Sequence, residues 1–67
     1  MSVAKVSEIS ATSTKSFEDA ITEGIARAKK TLRNVKGAWI KELHVRVDKG
    51  AIKEYQVNMM ITFVIDD

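Results

Sequence analysis

Phe17, Ala20, Ile21, Gly24, Ile25, Ala28, Leu32 and Val35 recur at spacings of three and four. That period gathers them into one apolar stripe and predicts an amphipathic helix from Ser16 to Asn34. Ser16 is a good N-cap, with Asp19 three residues on as its capping-box partner. Glu18 and Asp19 stand at the positive end of the helix dipole, and Lys29, Lys30, Arg33 and Lys36 crowd its negative end. Gly37, following Asn34, is the expected stop. Gly24 weakens a helix by about 1 kcal/mol relative to Ala. Its place on the stripe implies that another backbone comes close there.

Alternation replaces the helical period elsewhere. Residues 3–10 predict a first strand, followed by a small polar loop from Ala11 to Lys15. Trp39 to Val47 predicts a second strand, Asp48-Lys49-Gly50 a turn, and Ile52 to Ile65 a third strand. In that third strand Tyr55, Val57, Met59, Ile61, Phe63 and Ile65 share the face expected to cover the helix. Glu54, Gln56, Asn58, Met60, Thr62 and Val64 share the other, which Met60 and Val64 make apolar enough to be a subunit contact. The hairpin ladder stays open, because a three-residue loop and a two- or four-residue loop bring opposite faces of the second strand alongside. The reading is an α+β chain of one domain, residues 1–67, with β-α-β-β order. Its three-stranded antiparallel sheet packs on one helix and has an edge that must be covered or paired.

A chain of 67 residues buries too small a fraction of its surface to be comfortable alone. Cysteine is absent and there is one histidine, so neither a disulfide nor a structural zinc site staples the fold. Self-association remains, and a homo-oligomer is expected. The net charge of +2, with both signs interspersed, argues against a polyanion binder. The lysines and arginine at the helix C-terminus are explained by the dipole, which leaves nucleic-acid binding the weakest reading. The chain shows no run of membrane-spanning length, and its N-terminal residues lack the apolar core of a signal peptide. A cytoplasmic protein is the expectation.

Catalysis finds no support in the sequence. His44, the single histidine, has no spaced Cys or carboxylate partners. The serines lack a nucleophile motif, and the three glycines are scattered rather than forming a phosphate loop. Trp39 serves either as an apolar interface anchor or as a platform for a flat aromatic ligand. Gln56 presents a donor beside an acceptor, the pattern a heterocycle edge needs. Arg46 and Lys53 are a cationic pair suited to phosphate. Asp66 and Asp67 are a solvated tail or a weak site for a hard cation such as calcium.

Several segments together resemble one family. They are Val6-Ser7-Glu8-Ile9, the loop Ser10-Ala11-Thr12-Ser13, the helical run Ile25-Ala26-Arg27-Ala28-Lys29-Lys30-Thr31-Leu32-Arg33, Lys41-Glu42, and Lys53-Glu54-Tyr55-Gln56-Val57 leading to Phe63. The chain is similar over nearly its whole length to dodecins, small proteins that assemble twelve copies into a hollow shell, many of which store flavin. The resemblance implies a non-catalytic binding or storage shell, a homododecamer, whose partners are itself and a small molecule. It implies a flavin such as FMN held between subunits, with a tryptophan stacked on the ring, a glutamine on its edge and, in some bacterial members, an arginine at the phosphate. Gln56 matches the glutamine. Aligned without gaps, the tryptophan's place falls on Gly37 and the arginine's on His44. Two residues inserted before Trp39 and two removed at the hairpin restore Trp39 and Arg46 together. A two-residue offset keeps a side chain on its face but moves it by about 6.5–7 Å. The ungapped alignment asks for fewer changes and points to dodecin-like proteins without flavin. These hold cations, such as calcium or magnesium, or another small ligand at symmetry contacts.

Overall fold

The sheet is built around its last strand. In the computed structural model, which describes residues 3–65, β1 spans Ala4–Ser13, α1 Phe17–Thr31, β2 Val35–Asp48 and β3 Ala51–Val64. The strands lie in the order β1-β3-β2, each pair antiparallel. This is the expected β-α-β-β subunit, one helix on a three-stranded antiparallel sheet. Asp66 and Asp67, considered for a cation, lie outside the described residues.

Element ends differ from the sequence reading for local reasons. β1 continues through Ala11, Thr12 and Ser13, expected as loop, because β3 offers them Val57, Gln56 and Tyr55 as ladder partners. The Ser13 hydroxyl then donates to Asp19 Oδ2 at 2.6 Å, and its oxygen accepts from the Lys15 N–H at 2.9 Å. Ser16 caps the helix as expected, its Oγ accepting from the Asp19 N–H at 2.9 Å. Asp19 therefore ties the helix start back to the end of β1. The helix stops at Thr31, with the Leu32 N–H closing on the Ala28 carbonyl. Leu32 and Val35 continue the helical spacing, yet they pack on the core from extended backbone. Asn34, at φ 60°, makes the reversal expected of Gly37, a conformation asparagine tolerates better than most residues. Gly37 lies within β2, opposite Thr62. The hairpin loop is two residues long. Lys49 and Gly50 have φ of 53° and 78° between the paired Asp48 and Ala51, the doubly left-handed turn that matches strand twist.

The core is small. Val57, Met59 and Ile61 of β3 and Ala20 and Ala28 of α1 are its buried apolar residues, and Phe17 meets the Tyr55 ring edge-on at 5.1 Å. The alternation read from β3 thus points its odd face at the helix. Gly24 sits where that contact is tightest. A Cβ there would stand 2.6 Å from Met59 Cε and 3.0 Å from Ala11 Cβ. Side chains, rather than the expected backbone, make the close approach.

The helix is too short for the sheet it serves. Fifteen residues of α1 rise about 22 Å, whereas each fourteen-residue hairpin strand spans about 47 Å. α1 packs on β1 and β3 and barely meets β2. The chain measures 51 × 19 × 13 Å with a radius of gyration of 13.8 Å, against ~11 Å for a globule of this length. It exposes 5069 Å², where roughly 4,250 Å² is usual for a folded monomer of this mass.

Two substitutions test the core. Gly24→Val is expected to destabilise by about 1–3 kcal/mol through overpacking against Met59 and Ala11. Met59→Ala is expected to cost about 2–5 kcal/mol through the cavity it leaves. Urea midpoints at one fixed protein concentration read both effects.

Candidate ligand-binding face

The face of the sheet turned away from α1 carries Trp39, His44, Arg46 and Gln56, and a bulge in β2 makes this so, whereas Lys53 is the extra residue where the ladder slips again between Arg46 and Val47. Along β2, Trp39 is at an odd position, while His44 and Arg46 are at even ones. A regular strand would put the tryptophan on the opposite face from the other two. The ladder slips between Ile40 and Glu42, leaving Lys41 as the extra residue. Trp39 consequently pairs with Met60, Glu42 with Asn58, His44 with Gln56 and Arg46 with Glu54. All of these β3 partners lie on one face, so Trp39, His44, Arg46 and Gln56 share it. The extra residue of a bulge re-aims side chains in this way.

A polar network runs beneath these residues. The Gln56 side-chain amide donates from Nε2 to Ser10 Oγ at 2.8 Å and to Asn58 Oδ1 at 3.4 Å. Asn58 Nδ2 donates in turn to Glu42 Oε1 at 3.0 Å. Lys41 Nζ crosses the face to Glu8 Oε2 at 3.1 Å, and Arg46 Nη1 reaches Glu54 Oε1 at 3.5 Å. With its donor occupied on two sides, Gln56 presents its Oε1 as a fixed acceptor. Its orientation suits an N–H on a ligand edge. Sequence reasoning did not single out Ser10, Glu42 and Asn58. Their only signal is the even parity of Asn58 with Gln56, because the strands that bring Ser10 and Glu42 alongside are distant in sequence.

Trp39 is 53% exposed and lies beside Met60, four residues along β3 from Gln56, or about 13 Å. One chain offers a stacking surface and an edge acceptor too far apart for a single small ring to lie flat on one and bond the other. His44 lies directly opposite Gln56, and Arg46, opposite Glu54, lies two residues nearer the hairpin turn. Among the described residues no group of three or more His, Cys, Asp or Glu side chains is placed to hold a metal ion. No helix among them is long and apolar enough to cross a membrane.

Comparison with known proteins is consistent across sequence and structure. The family model for dodecins matches residues 3–66. The chain belongs to the dodecin family. The dodecin of Thermus thermophilus is 35% identical over 65 residues, 97% of this chain and 94% of that one. Crystal structures of variants of the T. thermophilus dodecin, one with an arginine replaced by alanine and one with a tryptophan replaced by phenylalanine, match with a TM-score of 0.94. They are 34% identical and cover 100% of both chains. The replaced tryptophan and arginine stand seven residues apart there, as Trp39 and Arg46 do here. The calcium dodecin of Mycobacterium tuberculosis, described as having a novel calcium-binding site, matches with a TM-score of 0.82 at 31% identity, over 96% of this chain and 91% of that one.

The Lys41–Glu8 pair is about half exposed on both sides, and pairs of that kind contribute little. A double-mutant cycle on Lys41→Ala and Glu8→Ala is expected to give a coupling below about 1 kcal/mol. A larger coupling would mean that this face is covered in solution.

Proposed function

We propose that this dodecin is a non-catalytic, self-assembling protein that holds a flat aromatic ligand of the flavin class between copies. Trp39 stacks on the ring, Gln56 accepts from its edge, and Arg46 and His44 meet a phosphate. The observation that carries this reading is the bulge at Lys41, which gathers a tryptophan, a glutamine acceptor and a cation onto one face. Three further points support it. Dodecins include flavin binders. The tryptophan–arginine separation of the T. thermophilus protein recurs in residue type only at Trp39 and Arg46, which favours the gapped alignment over the one that lands on Gly37 and His44. The half-exposed indole is the kind of aromatic anchor that dominates binding energy when covered. A shell of twelve copies is the assembly that family membership favours.

The test is a flavin titration. The assembled protein is expected to quench FMN emission. Trp39→Ala should weaken binding at least tenfold, as loss of a hot-spot aromatic does. Gln56→Ala should weaken it by about fivefold, one hydrogen bond's worth. Arg46→Ala should lower affinity for FMN while leaving riboflavin, which has no phosphate, nearly unchanged. An assembled particle that leaves FMN emission intact overturns the proposal.

The M. tuberculosis relative favours a second reading, in which a cation such as calcium or magnesium sits where copies meet. It predicts a melting temperature that rises with added calcium and falls with chelator, with no dependence on Trp39.

A further inference from the structure

We infer that Glu42 is a specificity-determining residue of the Trp39 face. Acting through Asn58, its carboxylate sets which end of the Gln56 amide meets a ligand, and so selects a ring edge that carries an N–H. The choice of ligand rests on the proposed function; the orientation of the amide does not.

A primary amide has two ends alike in size and opposite in chemistry, an acceptor oxygen and a donor nitrogen. Unrestrained, it turns to suit a donor or an acceptor. Here it ends a chain of hydrogen bonds that crosses the sheet. Asn58 of β3 stands between Ser10 of β1 and Glu42 of β2, and Gln56 lies two residues away on the same face. Glu42 Oε1 accepts from Asn58 Nδ2 at 3.0 Å. Asn58 Oδ1 accepts from Gln56 Nε2 at 3.4 Å, and Ser10 Oγ accepts from the same nitrogen at 2.8 Å.

Only one member of this chain gives it a direction. The Ser10 hydroxyl donates as readily as it accepts, so it serves either end of Gln56. Asn58 carries both functions and would run equally well reversed. An ionised carboxylate accepts only. Glu42 therefore turns the Asn58 nitrogen toward β2 and leaves the Asn58 oxygen for Gln56, which must answer with its own nitrogen. Both protons of that nitrogen are then engaged, by Asn58 and Ser10, and the oxygen is what a ligand meets. Reversing the Gln56 amide alone would set oxygen against oxygen at Asn58. Hydrogen bonds to a charged group are about twice as strong as neutral ones, and linked bonds polarise one another. The preference imposed at Glu42 is thus passed along to Gln56. Glu42 is a positioning residue: it acts on the ligand only through the two amides.

Glu42→Gln keeps the size of the side chain and lets it donate as well as accept. The assembled protein is titrated with riboflavin and with riboflavin methylated at the ring-edge N–H. The wild type is expected to prefer riboflavin by at least about tenfold. The bulk of the methyl group acts in both proteins, so the change in preference between them reads orientation. In Glu42→Gln the preference is expected to fall at least about threefold with the particle mass unchanged. Asn58→Ala, which cuts the chain in the middle, is expected to do the same. A ligand-free measurement accompanies these titrations. The side-chain amide protons of Gln56, followed by heteronuclear NMR, are expected to exchange with water at least about threefold more slowly in the wild type than in Glu42→Gln. An equal preference in the wild type and Glu42→Gln overturns the inference, and so does equal exchange. If neither flavin binds the assembled wild type, the proposed function falls and the exchange measurement decides the inference alone.

Discussion

A length mismatch governs this molecule. Both strands of the hairpin are more than twice as long as α1, the helix that packs on the sheet. The helix therefore settles where coverage is most effective, over β3 and β1, and Val57, Met59 and Ile61 become the core because they lie directly beneath it. The rest of the sheet is left with one face on each side that nothing in the chain can bury. Small domains close this gap with disulfides or metal. Here cysteine is absent, and burial by associating copies is the route proposed above.

The same mismatch explains the division of labour between the two faces. On the helix side, Leu43, Val47 and Ile52 of the hairpin are left bare. On the far side, polar residues are joined in a network in which Ser10, Gln56, Asn58 and Glu42 satisfy one another. A network of that kind fixes the orientation of an amide. A fixed amide can discriminate among ligand edges, whereas a freely rotating one adapts to many. Trp39 supplies apolar area on the same face, about 13 Å from the amide along β3.

Much of this was legible in the sequence. The three-four spacing from Phe17 to Ala28 and the alternation from Tyr55 to Ile61 give the helix, the core strand and their contact. Ser16 gives the helix start. The helix end was misread because Leu32 and Val35 fall on the helical period by coincidence while serving the core from extended backbone. The role of Gly24 was half seen. Crowding was predicted, but the atoms that crowd it belong to Met59 and Ala11, far apart in the chain. Least legible was the site. Its residues share a face only because Lys41 is left out of the ladder, and a bulge has no composition signal strong enough to find. Parity alone would have separated Trp39 from His44 and Arg46.

The irregularities of β2 carry an evolutionary corollary. Its ladder with β3 slips at three places, between Val35 and Gly37, at Lys41 and between Arg46 and Val47, and at the first two the extra residue is on β2. A strand that already accommodates supernumerary residues can gain or lose one there without turning the flanking stretches inside out. β3, paired without interruption to β1 from Tyr55 to Val64, has no such freedom over that stretch; its own extra residue, Lys53, lies beyond it beside the hairpin turn. Descendants of this scaffold should therefore vary in length along β2 and near its start, sliding the aromatic platform relative to the amide while the core stays put. Ligand preference in such a lineage would drift through insertions and deletions more readily than through exchange of the binding side chains themselves.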